Sequence, residues 1–81
     1  MYYTWDKEKN QANQKKHGVR FEDVIPMFEA GSFDVKYDEE NSSHGEDRFI
    51  AEGYLSSLGF VIVVFVEVVE DTIRIISARK A

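Results

Sequence analysis

The first helix that the pattern of apolar and polar residues predicts contains almost no apolar side chain. Asp6 is a suitable N-cap and Gly18 a suitable left-handed stop, so this helix should end at about His17. Four polar side chains recur at i, i+4, i+7 and i+8 and should share one face: Lys9, Asn13, Lys16 and His17. Because a helix in a small domain normally buries an apolar stripe, a face of amines, amide and imidazole indicates a surface for an anion.

A second helix is predicted by apolar residues at i, i+3, i+4 and i+7, namely Phe21, Val24, Ile25 and Phe28. Pro26 lies inside this stripe, removes one backbone donor and disfavours helical geometry at Ile25. This helix should therefore be short, kinked or broken near Ile25, and Gly31 should end it.

The remaining segments have strand patterns. Residues 2–4 are aromatic and β-prone, residues 33–38 alternate apolar and charged side chains, and further strands are predicted over 47–55, 60–69 and 72–79. The later strands are joined by short links and should pair antiparallel. The order β-α-α-β-β-β-β predicts one α+β domain over residues 1–81, with two N-terminal helices packed on one face of an antiparallel sheet.

The strand predicted over 60–69 is apolar on both faces. Phe60, Ile62 and Val64 face one way, and Val61 and Val63 face the other. Two short helices cover one side of a sheet, so the second side should be covered by another chain or by an element outside this sequence. A homodimer through the uncovered sheet face would satisfy this requirement.

Composition excludes several classes of protein. The chain has no cysteine, which excludes disulfides and thiolate metal sites, and its two histidines lack a carboxylate cluster at ligand spacing, so we expect no metal and no cofactor. The longest apolar run, residues 60–66, has seven residues, whereas a membrane-spanning helix needs about 20. With no secretion signal at its N-terminus, the chain is expected to be soluble and cytoplasmic, with no membrane partner.

Charge is distributed unevenly along the chain. The net charge of −5 combines +3 over residues 1–20, −8 over residues 21–52 and zero over the rest. An acidic total argues against loose, non-specific binding of nucleic acid, although the basic first segment still allows a local basic face. The acidic middle offers a contact for a basic partner, including the Glu39–Glu40 pair.

Three motifs in order resemble a known family. The first is Trp5-Asp6-x-x-Lys9-x-x-x-Asn13-x-x-Lys16-His17-Gly18-Val19-x-Phe21, the second is Gly45-Glu46-x-Arg48 followed by Gly53, and the third is the final segment, residues 74–81. Together they span nearly the whole chain and resemble the BrnT toxins.

The resemblance implies a RelE-like α+β fold and a ribonuclease that acts as the toxin of a type II toxin–antitoxin pair and inhibits translation. It also implies a small DNA-binding antitoxin, similar to BrnA, that neutralises the toxin, so that contact with DNA would be indirect, through the antitoxin. The family usually continues past the last motif into a C-terminal helix, and the sequence ends at Ala81, so residues 1–81 would form a toxin domain without that helix.

Cleavage of RNA without a metal needs a base for the 2′-hydroxyl, an acid for the leaving oxygen and cations for the phosphorane. His17 has the only side chain among the basic candidates with an unperturbed pKa near neutrality, so it is our candidate acid or base, with Glu46 as a weaker alternative. We assign catalysis to His17, Arg48 and Arg79, and RNA binding to Lys9, Asn13, Lys16 and Arg74.

Strand geometry limits this assignment. Arg48 and Arg74 can share the face away from the core, with Glu52 beside them, whereas Arg79 has the opposite parity to Arg74 in a regular strand. All three arginines meet only if a bulge or a strand end redirects Arg79. The hypothesis further requires that the helix cluster and the strand arginines converge on one pocket.

Each candidate also has a structural interpretation without chemistry. Lys15, Lys16 and His17 fill the last turn of a helix, where the helix dipole favours cations. Arg48 can pair with a neighbouring glutamate on the surface, and Arg74 and Arg79 can serve as edge charges that block aggregation. The rival function is a non-catalytic or degenerate protein-interaction module that binds an antitoxin-like partner.

Overall fold

The computed structural model describes residues 1–42 and 45–81. Of the polar loop predicted over 41–45, Ser43 and His44 lie outside the described residues. The described part of the chain contains, in order, β1 (Tyr2–Thr4), α1 (Lys7–His17), a 3-10 helix (Phe21–Val24), α2 (Ile25–Ala30), β2 (Phe33–Tyr37), β3 (Arg48–Leu55), β4 (Gly59–Val69) and β5 (Thr72–Lys80). No helix in these residues is long and apolar enough to span a membrane.

Helix α1 begins and ends where its capping residues predicted. The Asp6 carboxylate accepts hydrogen bonds from the backbone N–H groups of Glu8 and Lys9, at 2.8 and 3.2 Å. Gly18 follows with φ +71° and donates its N–H to the carbonyl of Gln14. Both ends are set locally, by a side chain that satisfies free N–H groups and by a residue that tolerates the left-handed conformation.

The second helix is broken where Pro26 predicted. A 3-10 helix ends at Val24, and α2 begins at Ile25, so that Pro26 occupies the first turn, where a missing N–H costs little. Gly31 ends α2 with φ +71°. The break lets two short segments turn separately and direct their apolar side chains into the same core.

The five strands form one mixed sheet in the order β1-β5-β4-β3-β2. Strands β2 to β5 are antiparallel as predicted, but the prediction of a wholly antiparallel sheet is wrong because β1 pairs parallel with β5. Tyr2 lies opposite Thr72 and Thr4 opposite Arg74. A parallel pair needs a long crossover connection, and here the whole intervening chain supplies it.

One face of the sheet carries the hydrophobic core. The 3-10 helix and α2 contribute Phe21, Val24, Met27 and Phe28, which pack on inward side chains of the strands: Ala51, Val61, Val63, Phe65, Ile75 and Ala78. On β4, this places Val61 and Val63 in the core and Phe60, Ile62 and Val64 on the opposite side, which we call the outer face. The two helical segments that cover the core therefore leave the outer face of β4 bare in the described structure.

Gly53 of β3 lies against Met27 of α2, and this close contact leads to a prediction about stability. A Cβ atom at Gly53 would lie 2.6 Å from Met27 Sδ and 3.1 Å from Phe33 Cβ. We expect Gly53→Ala to destabilise the domain by about 1–3 kcal/mol through overpacking, measured by chemical denaturation. Because Met27 supplies the nearest atoms, the cost should be less than additive with that of Met27→Ala in a double-mutant cycle. Full additivity would contradict the contact.

Candidate active site on the outer face of the sheet

Two arginines on the outer face align across three strands. In the strand register Arg48 of β3 lies opposite Val66 of β4, and Val66 lies opposite Arg74 of β5. Residues paired in this way point to the same side of a sheet, and neighbouring strands lie about 4.8 Å apart, so the Cα atoms of Arg48 and Arg74 are separated by roughly 10 Å. We call Arg48, Val66 and Arg74 the arginine row.

A β-bulge brings a third arginine to the same face. Val64 pairs with Ser77, but the next residue, Phe65, pairs with Ile75, so Ile76 is the extra residue of β5. An extra residue reverses the alternation of side chains beyond it. Arg79, which pairs with Ile62, therefore lies on the outer face with Arg74, about 13 Å further along the sheet. The bulge that Arg79 needs in order to share a face with Arg74 is therefore present in β5.

A carboxylate lies on the outer face opposite this third arginine. Glu52 of β3 pairs with Ile62, which in turn pairs with Arg79, so Glu52 and Arg79 flank Ile62 as Arg48 and Arg74 flank Val66. The outer face thus combines three guanidinium groups with the Glu52 carboxylate and, opposite it on β2, the Asp34 carboxylate. Neither Arg74 nor Arg79 forms a salt bridge with any residue that the structure describes.

The backbone of Arg48 is held by the turn that follows β2. The N–H of Arg48 donates to Ser42 Oγ at 2.9 Å, and the Arg48 carbonyl accepts from the N–H of Asp38 at 2.9 Å. Asp38 is only 6% exposed, and its carboxylate accepts from both the N–H and the side-chain amide of Asn41. The sequence pattern predicted only a polar loop here, although Asp and Asn three residues apart are typical of such side-chain-capped turns.

The Arg48 guanidinium is oriented by Glu46. Arg48 Nε donates to Glu46 Oε1 at 3.1 Å, which is the surface ion pair foreseen as the structural interpretation of this residue. The pair uses Nε alone, and the two terminal nitrogens of Arg48 have no hydrogen-bond partner among residues 1–42 and 45–81. An arginine held by Nε still presents these two nitrogens to a phosphate.

Helix α1 is attached to the free edge of β5 by Asn13. Asn13 Nδ2 donates to the carbonyls of Val19 and Ala78, at 2.9 and 2.7 Å, and Asn13 Oδ1 accepts from the N–H of Ala78 at 3.2 Å. Its side chain is therefore bonded to both backbone groups that Ala78 directs away from β4. The prediction that Asn13 shares an exposed face is wrong, since Asn13 is 7% exposed and faces the protein.

The two flanks of α1 point in different directions. Asn10 faces the 3-10 helix, where it accepts from the N–H of Phe21 at 2.9 Å and donates to Glu22 at 2.8 Å, a hydrogen bond that lowers the pKa of Glu22. Successive residues turn by about 100° around a helix. Lys9 and Lys16 consequently lie on the other side of Asn13 from Asn10, next to the outer face, and both are exposed.

His17 falls on the flank of Asn10, towards the core side of the sheet, and is half-buried. Arg48 lies on the outer face at the start of β3, with β4 and β5 between it and α1. The expected single pocket for His17 and Arg48 is therefore not formed. The structure instead brings three arginines and Glu52 to one face, places Lys9 and Lys16 at the margin of that face, and separates His17 from it.

The end of the outer face away from the arginine row is apolar. Tyr54 and Phe60 lie opposite each other on β3 and β4, with ring centroids 5.2 Å apart, and are 60% and 65% exposed. Among the residues described, no group of three histidine or acidic side chains is placed to hold a metal ion. The outer face therefore has a basic end and an aromatic end.

Comparison with known proteins places the chain in a family. The sequence model for "Ribonuclease toxin, BrnT, of type II toxin-antitoxin system" matches residues 5–81. The crystal structure of the Brucella abortus ribonuclease toxin BrnT is similar in fold, with a TM-score of 0.77 and 30% sequence identity, covering 100% of this chain and 97% of the Brucella chain. No curated protein sequence matched the chain.

The family match includes all three sequence motifs and nearly every element of the fold, and the Brucella structure shares the architecture described above. The fold described above is thus similar to that of a ribonuclease toxin. The chain belongs to the BrnT family of ribonuclease toxins of type II toxin–antitoxin systems.

Proposed function

We propose that this BrnT-family chain cleaves RNA on the outer face of its sheet without a metal ion, and thereby inhibits translation. The observation that supports this proposal is the strand register, in which Arg48 and Arg74 flank Val66 and the bulge at Ile76 turns Arg79 to the same side. A row of guanidinium groups at this spacing suits the phosphates of one RNA strand. Lys9 and Lys16 extend the basic surface beyond the edge of β5.

The proposed chemistry divides between charge stabilisation and proton transfer. Arg48 and Arg74 bind the scissile phosphate and stabilise the negative charge that develops as the 2′-oxygen attacks phosphorus and the 5′-oxygen leaves. We assign Glu52, which shares their face, as the base that accepts the proton of the 2′-hydroxyl, and a solvent water as the acid that protonates the leaving 5′-oxygen. Arg79, opposite Glu52, binds the adjacent phosphate.

The partner that we propose is a small antitoxin similar to BrnA, which the type II system implies. The aromatic end of the outer face, with Tyr54 and Phe60, suits an apolar antitoxin segment, and the acidic residues after β2 suit a basic one. Contact with DNA would come through the antitoxin, and RNA cleavage would occur in the cytoplasm. Kinship with RelE-like nucleases is part of the same proposal.

The direct test uses purified protein and a labelled RNA oligonucleotide. We expect cleavage that persists in excess EDTA and yields a 2′,3′-cyclic phosphate, since the 2′-hydroxyl is the proposed nucleophile. A matched oligonucleotide with 2′-deoxyribose at the cleavage position should remain intact. Cleavage that EDTA abolishes would contradict metal independence, and cleavage of the deoxy control would contradict the chemistry. In cells, induction should arrest growth and protein synthesis together.

His17 provides a separate prediction. Because His17 lies on the flank of α1 that faces the 3-10 helix, we expect His17→Ala to retain most of the cleavage rate, within about threefold, whereas loss of a general acid or base typically costs 100-fold or more. The measurement is the single-turnover rate across pH 5–9, with Lys15→Ala as the control on the same helical turn. A 100-fold loss would restore His17 as the catalytic acid or base.

The rival function, a non-catalytic interaction module, is favoured by one observation, the exposure of Phe60 and Tyr54. It predicts that purified protein cleaves no RNA at any concentration yet binds the antitoxin. Cleavage that depends on Arg48 and Arg74 would exclude it.

A further inference from the structure

The free edge of β2 presents unpaired backbone groups. β2 is the last strand of the sheet, and its one neighbour in the described structure is β3. The N–H of Asp38 donates to the carbonyl of Arg48, next to the pair of Tyr37 with Phe49. Backbone groups alternate in direction along a strand, so alternate residues point away from β3: Phe33, Val35 and Tyr37.

Two of these three residues, Val35 and Tyr37, also have exposed side chains. Val35 is 48% and Tyr37 is 47% exposed, although both point to the core side of the sheet. A flat strand edge with exposed apolar side chains is a template for pairing with another strand. The edge could be protected by charge, and Asp34 and Lys36 are the charged residues of β2.

The arrangement of these charges is complementary to itself. When two copies of β2 pair antiparallel about a two-fold axis at Val35, each Asp34 lies opposite the Lys36 of the other copy. Val35 then meets Val35, and Phe33 meets Tyr37, on the other side of the sheet. All six outward-facing residues of the two strands are in hydrogen-bonding positions in this register.

Neighbouring registers do not place opposite charges opposite each other. A two-fold axis at Asp34 would place two carboxylates opposite each other, and an axis at Lys36 would place two amines opposite each other. The register centred on Val35 also has the greatest overlap of the five-residue strands. Opposite charges and maximal overlap thus select a single arrangement.

In the monomer two carboxylates repel each other, and pairing of the β2 edges would place a cation beside them. Asp34 pairs with Glu52 across β2 and β3, so two carboxylates lie directly opposite on the outer face, a pairing that is destabilising in a sheet. The Lys36 amine of a second copy would lie beside Asp34 on the same face. In the described monomer, neither Asp34 nor Glu52 forms a salt bridge with a described residue. The Lys36 amine of the second copy would provide a cation for this pair of carboxylates.

We propose that two copies of this chain associate through antiparallel pairing of their β2 edges, centred on Val35, to form a continuous sheet of ten strands. This surface differs from the outer face, and the proposal does not depend on RNA cleavage. Two five-residue strands bury little area, so the dimer is weak and its population depends on protein concentration. The outer faces of both copies remain open, on the same side of the joined sheet.

The test is a charge-swap experiment by sedimentation velocity on purified full-length chain. Wild-type protein should show concentration-dependent dimerisation. Asp34→Lys and Lys36→Asp should each raise the dissociation constant of the dimer roughly tenfold or more. Each substitution places like charges opposite each other at both 34–36 pairs of the dimer. An equimolar mixture of the two variants should recover dimers, since one strand then has two amines and the other two carboxylates.

Circular dichroism will establish that both variants are folded. If either is unfolded, Val35→Pro replaces it, because proline removes an N–H that faces the open edge and leaves the β2–β3 ladder intact. Val35→Pro should be monomeric. Any one of four results would overturn the proposal. The wild-type chain stays monomeric at every concentration, or the mixture fails to recover dimers. Alternatively, Val35→Pro dimerises like wild type, or the β2 amides are protected from exchange only when the antitoxin is added.

Discussion

Arg48→Ala and Arg74→Ala are each expected to reduce the single-turnover rate of RNA cleavage by roughly 100-fold to 1,000-fold. This is the typical cost, in other enzymes, of removing one preorganised hydrogen-bond donor that stabilises a negative charge in the transition state. Both residues flank Val66 on the outer face, and neither is part of the core. Arg48→Lys and Arg74→Lys should recover only part of the rate, because an amine cannot bind a phosphate bidentately. The expected loss for the double variant is smaller than the product of the single losses if both act on one phosphate.

Arg20→Ala is the matched control for these variants. Arg20 is an exposed arginine that pairs with Asp23 at 3.0 Å, beside the 3-10 helix and away from the outer face. Its replacement changes the net charge of the protein by the same amount as Arg48→Ala. Equal losses of rate in Arg20→Ala and Arg48→Ala would show that cleavage depends on overall charge and not on the arginine row.

Asn13→Ala is expected to destabilise the domain by about 3 kcal/mol, since a buried backbone group left without its partner costs about 1–3 kcal/mol. The substitution removes three hydrogen bonds and leaves three backbone groups without partners: the carbonyls of Val19 and Ala78 and the N–H of Ala78. For a domain of this size, the melting temperature should fall by roughly 12–24 °C. Thermal denaturation followed by circular dichroism measures the change.

Two further variants separate this structural role from a role in RNA binding. Gln14→Ala, at an exposed position on the same helix, should leave the melting temperature almost unchanged. Asn13→Asp keeps an acceptor for the Ala78 N–H but directs a carboxylate at two carbonyls, so it should destabilise at least as much as Asn13→Ala. If Asn13→Ala melts like wild type and loses only RNA affinity, Asn13 is an RNA ligand and the proposed role in positioning α1 is wrong.

Local features of this fold could be predicted from sequence because they depend on neighbouring residues. The caps of α1 at Asp6 and Gly18, the break at Pro26 and the alternating faces of β4 are of this kind. Each rests on a hydrogen bond within one turn, a missing N–H or a two-residue period. The pairing of β1 with β5 could not be predicted in this way, because it joins residues about 70 positions apart.

Part of the candidate site was accessible to the same reasoning. Alternation placed Arg48, Arg74 and Glu52 on one face, but the bulge at Ile76 has no sequence signature, so the side of Arg79 stayed undecided until the register was known. On α1, periodicity identified a polar face without showing which polar residue is buried. The chemical distinction is that Asn13 both donates and accepts, and so satisfies the N–H and C=O of a strand edge, whereas a lysine only donates.

RNA is proposed to bind the outer face through the arginine row and Arg79, and the four arginines of the chain allow one direct measurement. The Nε–H signals of Arg20, Arg48, Arg74 and Arg79 can be followed by NMR during titration with an RNA oligonucleotide that has 2′-deoxyribose at the cleavage site. We predict that the signals of Arg48, Arg74 and Arg79 shift together with one binding curve while that of Arg20 stays in place. A shift of Arg20, with the other three signals unmoved, would contradict the account.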